Sequence, residues 1–235
     1  RLSTASSFST ARTFQLTGNG GTIDIAAGAD TLTATGRFVD ATGQTGSLTK
    51  TGSGTLVMTD DNTYTGKTTV EDGTLQLGNG GATGSLVGDI AISSNAIVDV
   101  MRSAKWVFGG QLSGAGRFNQ LGTGTTTLTA DSSSFSGTTA VTNGDLSVSG
   151  KLGGETTVSG TGLLSGNGLL DRVAVIKGGK ITAGTTDSID TLSMNTLSFA
   201  PGSGLYANVV SKNTANGVEA KADLLDASGA VAISG

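Results

Sequence analysis

Gly46 to Leu77, GSLTKTGSGTLVMTDDNTYTGKTTVEDGTLQL, returns further on as Gly116 to Val148, GRFNQLGTGTTTLTADSSSFSGTTAVTNGDLSV. The offset is 116 − 46 = 70 at the start and, after one extra serine near Ser133, 144 − 73 = 71 at the matching glycines Gly73 and Gly144. Gly52 and Gly54 fall on Gly122 and Gly124, Tyr64 on Phe135, Gly66 on Gly137, and Leu75 on Leu146. Spaced glycines, one aromatic and alternating apolar residues are what a stacked β-solenoid turn requires, because each turn bends at fixed places and shows its neighbour one apolar face. A turn of about 20 to 25 residues puts about three turns in the 70-residue unit and about ten in the chain, a rod of roughly 45 to 50 Å.

Composition supports an all-β chain. Glycine occurs 39 times in 235 residues with one proline, too little proline for collagen, and the many Val, Ile and Leu exclude a flexible linker. Cysteine and histidine are both absent. That removes disulfides, thiolate and imidazole metal sites, cysteine nucleophiles and histidine-dependent triads. A net charge of −4 disfavours nucleic acid and anionic membrane as partners. No apolar run approaches the ~20 residues of a membrane span. The chain reads as a piece of a larger polypeptide.

Residues 1 to 12 carry little pattern and read as a ragged start or a partial turn. From Thr13 to about residue 198 short apolar runs recur, with strands expected at Asp89 to Ile92, Ala96 to Val100 and Lys105 to Phe108. Past Thr191 the runs lengthen, the sole proline sits in Ala200-Pro201-Gly202, and Ser211 to Ala222 reads as a polar connector. A solenoid end must cover its open edge, so residues 199 to 235, with the preceding turns from about 151, are expected to form a capping region.

Few motifs carry chemistry. Gly66-Lys67-Thr68 has the tail of a phosphate loop, but the glycine required five positions earlier is Asp61. Asp60-Asp61 and Glu71-Asp72 are the carboxylate pairs a β-helix polysaccharide lyase or hydrolase could use; their counterparts, Ala130-Asp131 and Thr142-Asn143, have mostly lost the acid. Asp187/Asp190 and Asp223/Asp226 are spaced i, i+3, which does not converge two carboxylates on extended chain. No catalytic, cofactor or metal residue is assigned. Tyr64, Phe135 and Trp106 read as packed aromatics, Trp106 with a surface anchor as the alternative, and the threonine runs as faces where hydroxyls on successive turns bond one another.

The segments Leu48 to Leu56, Asn62 to Gly66 and Thr68 to Leu75 resemble the passenger-associated transport repeat of bacterial autotransporters. The second copy departs, with Phe118-Asn-Gln-Leu for Leu48-Thr-Lys-Thr, yet keeps order and spacing. The resemblance implies a right-handed parallel β-helix displayed at the cell surface as stalk or adhesin scaffold, not an enzyme. It also implies export across the outer membrane by the protein's own C-terminal β-barrel, and C-terminal turns that fold first as an autochaperone. A host receptor, a matrix receptor or self-association would supply any partner.

Overall fold

A computed structural model describes residues 1–184, 190–206, 209–214 and 217–233, the segments 209–214 and 217–222 by their backbone. The described residues contain strands and no helix. The strands stack into a parallel β-solenoid, because each short alternating run buries one side and pairs with the equivalent run one turn later.

Three faces make the cross-section. The first is built from Leu2–Thr4, Gly21–Ile25, Leu48–Thr51, Thr68–Val70, Ile90–Ile92 and Leu112–Gly114, in that order. The second runs unbroken through eleven strands in series, from Phe8–Thr10 to Leu224–Ala227. The third begins with Phe14–Leu16 on Phe38–Asp40, stops, and resumes as six strands from Trp106–Phe108 to Gly204–Leu205. Between those two stretches, the loops 59–67 and 78–89 take the place of strands.

Register along the second face gives the turn length directly. Phe8 faces Leu32, Leu32 faces Leu56, and Thr156 faces Val173; up to Phe199 the step is thus 32 − 8 = 24 at its longest and 173 − 156 = 17 at its shortest. The shortest turns are tighter than the repeat alone implies, for a local reason. After Leu112–Gly114 the first face has no separate strand, and Lys151–Val158, Leu169–Val175 and Thr191–Phe199 are long strands that continue around the corner. The first of these bends at a bulge: Leu152 and Glu155 face Leu170 and Arg172, so Gly153 and Gly154 together oppose Asp171. Gly154 adopts φ +75°, and its missing side chain leaves room for the Gly137 carbonyl.

One interior row of the second face reads Leu32, Leu56, Leu75, Val98, Phe118, Thr139, Thr156, Val173 and Leu197, all buried. Two of these are threonines inside the core, and Thr139 Oγ1 has no hydrogen-bond partner. The expected hydroxyl ladder is therefore not made at Thr139. Trp106 is buried against Phe108, with ring centroids 5.0 Å apart.

At the ends, residues 1 to 12 already contribute paired rungs, Leu2 facing Ile23 and Phe8 facing Leu32. Ser211 to Ala222 is not a plain connector. Val209–Thr214 pairs antiparallel with Gly217–Ala222, with Thr214 opposite Gly217. The chain then returns to the solenoid, with Leu225 opposite Leu192 and Val231 opposite Leu197.

Candidate functional site

The repeat is a corner, and its two copies sit on different corners. In the first copy Leu48–Thr51 lies on the first face and Thr55–Met58 on the second; in the second copy Arg117–Gln120 lies on the second face and Thr125–Leu128 on the third. Leu48, Thr68, Ile90 and Leu112 follow one another on the first face, three turns, and Phe118 comes one face later. The repeat interval thus spans three turns and one further face, where the sequence spacing alone pointed to about three turns.

Each copy pairs with itself. Leu48 faces Thr68 and Leu56 faces Leu75; Phe118 faces Thr139 and Leu146 faces Thr126. At the corner of the first copy, the fully buried Lys50 donates from Nζ to the carbonyls of Thr51 (3.0 Å) and Gly52 (2.6 Å) on its own rung and of Asp72 (3.1 Å) on the next. Burial pulls this ammonium down to about 8, against the opposing pull of Asp72 and Asp24. Gln120 stands in the equivalent place. Its Nε2 donates to the carbonyls of Gly122 (3.0 Å) and Gly124 (3.1 Å), and its Oε1 accepts from Thr126 Oγ1.

Gly73 and Gly144 complete the corner from the rung above. Both have positive φ, +67° and +61°, and a Cβ on either would come within 2.5 Å of carbonyl oxygens of the rung beneath, those of Gly52 and Gly54 or of Gly122 and Gly124. The loop after the corner is tied down alike in both copies. Asn62 Oδ1 accepts from the Phe38 amide, and at the matching offset, 132 − 62 = 70, Ser132 Oγ accepts from the Leu112 amide. Tyr64 is fully buried, its ring 6.5 Å from Phe38, which stacks on Phe14; Phe135 is buried and bridges to Gly114 on the first face. In both copies an aromatic therefore fills the core where a loop replaces a strand.

The carboxylates singled out by sequence are tied to structure. Asp60 binds Arg37 Nε at 3.0 Å. Asp61 accepts from the amides of Gly84 and Ser85, from Ser85 Oγ and from Arg102 Nη1; burial pushes its carboxyl up, but those bonds outweigh it and hold it below the ordinary range. A general acid at neutral pH needs the opposite shift. Asp72 caps the Gly73 amide, and Glu71 is exposed. Asp187 lies outside the described residues, and Asp223 accepts instead from the Asp190 amide, so contact forms across the two pairs. The Gly66 amide is spent on the Gly46 carbonyl and Thr68 is bonded to Tyr64, which leaves no phosphate cradle. Two acids that sequence passed over, Asp99 and Asp145, are pushed up by burial; they lie on the second and third faces and each binds a neutral neighbour, Asn119 or Ser165. Only packing, not spacing, marks them. The described residues hold no group of three or more acids placed to bind a metal.

A continuous concavity runs along the outer surface at the bulged corner. A cleft of about 380 Å³ lies among Ser133, Leu169, Asp171, Arg172 and Asn195, next to a second of about 510 Å³ with which it shares Lys151 and Leu169. Lys151 is paired there with Asp131 at 2.7 Å, which holds that carboxyl down to about 2.

A family profile described as passenger-associated-transport-repeat matches residues 48–77 and 118–148, the two corners just described. The chain carries passenger-associated transport repeats. It is also similar to the Adhesin BmaC autotransporter of Brucella suis biovar 1 (strain 1330), 35% identical over 219 residues, a match covering 80% of this chain and 6% of that relative. The chain thus spans a small fraction of the relative's length. No solved structure matches it. Transport repeats and relative together mark the chain as autotransporter passenger sequence, exposed at the cell surface after export across the outer membrane.

Proposed function

We propose that this segment is a non-enzymatic stalk and adhesin scaffold whose own folding helps to draw the passenger out of the cell, turn upon turn from the C-terminal end. The observation that carries the reading is the second face, eleven strands in one unbroken parallel series. A rung in such a series presents the next one with a ready row of backbone donors and acceptors, so adding a turn costs only local ordering, while starting a parallel pair costs loop closure first. Residues 199 to 235 are the cap and starting platform in this reading. The partners are the protein's own C-terminal outer-membrane barrel and, for the displayed surface, a host-cell or matrix receptor or a second passenger.

Two observations favour a scaffold over a carbohydrate-active enzyme. Asp60 and Asp61 are each held by a cation, and the cleft at the bulged corner brings no pair of unbound acids together. The test is deletion of residues 199 to 235 in the whole protein. Loss of surface display, or of protease resistance of the passenger, is the expected result; unchanged display and resistance would remove the folding role. Turnover of a polysaccharide by the purified chain, abolished by Asp61→Ala, would replace the scaffold reading with the enzymatic one.

A further inference from the structure

We infer that each transport repeat is a self-closing clasp, a folding nucleus placed inside the solenoid and away from its end, with residues 50 and 120 as its catch. This rests on the proposed folding role only in that turns are added to something already formed, and it moves the starting point from the C-terminal end into the repeats.

Both strands of each corner find their partners within the same repeat, at separations of 68 − 48 = 20 and 75 − 56 = 19 in the first copy and of 139 − 118 = 21 and 146 − 126 = 20 in the second. Two stacked corners therefore form without any residue from outside the repeat itself. Loop length does not distinguish the repeats, since other turns, such as Phe8 to Leu32 or Thr156 to Val173, close over comparable separations. The catch does. Among the described residues, Lys50 and Gln120 are the buried long polar side chains whose ends bind the carbonyls of a corner, and they occupy the same position of the two copies. The third such buried chain, Arg102, lies outside both repeats and binds the Asp61 carboxylate instead.

The Gly124 carbonyl also accepts from the Asp145 amide, but those of Gly52, Asp72 and Gly122 meet no backbone amide among the described residues, so a side chain that gathers them favours the bent form over the extended chain. Lys50 gathers them from both rungs at once. Gly73 and Gly144 then seat on the same carbonyl shelf without strain, and Asn62 or Ser132 reaches back to the amide of the rung beneath, which latches the closed corner onto what precedes it. The clasp does not depend on which face it occupies, because the two copies make it on different corners. That independence is expected of a unit that forms locally and is not shaped by its surroundings.

The experiment is pulsed hydrogen exchange during refolding of the full chain, read by mass spectrometry on peptides. Peptides from 48–77 and 118–148 are expected to gain protection together and first, at least fivefold faster than those from 78–115. Lys50→Met should slow the first set alone, and Lys50→Gln should restore it. A single wave passing from the C-terminal turns through 118–148, then 78–115, then 48–77 overturns the inference while leaving templated folding intact; early repeats with export unaffected by loss of residues 199 to 235 would do the reverse. Should Lys50→Met fail to fold, native-state exchange on the unaltered chain decides: repeats that open last support the clasp, and repeats that open with or before 78–115 refute it.

Discussion

Lys50 and Gln120, seventy positions apart, close corners of the same shape on different faces of the solenoid, the ammonium donating to the Gly52 carbonyl at 2.6 Å and the amide to that of Gly122 at 3.0 Å. One site solves the problem with a charge and the other without.

Lys50→Gln should therefore hold or raise stability, since an amide reaches the corner without burying an ion. Because the folded-state value is about 8 and the ordinary one 10.5, the unfolded chain holds the extra proton between them and stability of the unaltered protein climbs through that window as pH rises. Urea midpoints from pH 7 to 10 should rise for the unaltered protein and stay level for Lys50→Gln; parallel slopes would exclude Lys50 as their source. Tyr64 works against this rise, since burial pushes its hydroxyl up and the unfolded chain gives up its proton first, so stability falls with pH, but only above about pH 10.

Gly144→Ala should cost about 3 kcal/mol, since a left-handed conformation and a backbone clash add. Gly43 supplies the comparison. It too has positive φ, +72°, but nothing lies within 4 Å of its missing Cβ, so Gly43→Ala should cost only about 1 kcal/mol. Equal losses in thermal melts would mean that the corner yields.

Ser132→Ala leaves the Leu112 amide buried without an acceptor, a loss of about 1 to 3 kcal/mol. Asn62→Ala should lose more, because the same side chain also donates to the carbonyls of Asp60 and Ser85. Exchange of the Leu112 and Phe38 amides would report each loss where it occurs.

Acid should weaken the fold through Asp131, Asp24, Asp40 and Asp61, all held below the ordinary carboxylate range by their hydrogen bonds. Their contribution is whole above about pH 4 and is lost as pH falls through their folded values, about 2 for Asp131. Asp131→Asn should flatten the acid limb of the stability curve without changing the plateau shape; an unaltered limb would assign the loss to the other three.

How much of this was legible depended on whether a feature leaves a mark in spacing. The solenoid, the self-similar stretches and the buried aromatics at 64 and 135 were readable because glycine corners and alternating apolar residues recur at a constant interval. The extra face in each repeat interval was not, since alternation looks the same on every face and only pairing register tells them apart. Lys50 carried no mark in the sequence, because nothing in Thr49-Lys50-Thr51 shows that its end will meet carbonyls folded back from positions 52 and 72. A hairpin-like segment after Pro201 was readable, but its pairing of Val209–Thr214 with Gly217–Ala222 was not, because the polar residues 211–222 suit a connector as well as a strand.

The extra face also governs how decoration is arranged around the shaft. The loop at 59–67 leaves from the third side and the one at 129–137 from the first, like successive leaves on a stem. Repeats strung at this interval point three ways in turn before returning to the first bearing. In this chain the two loops face two of the three sides, so neighbouring repeats do not share a bearing.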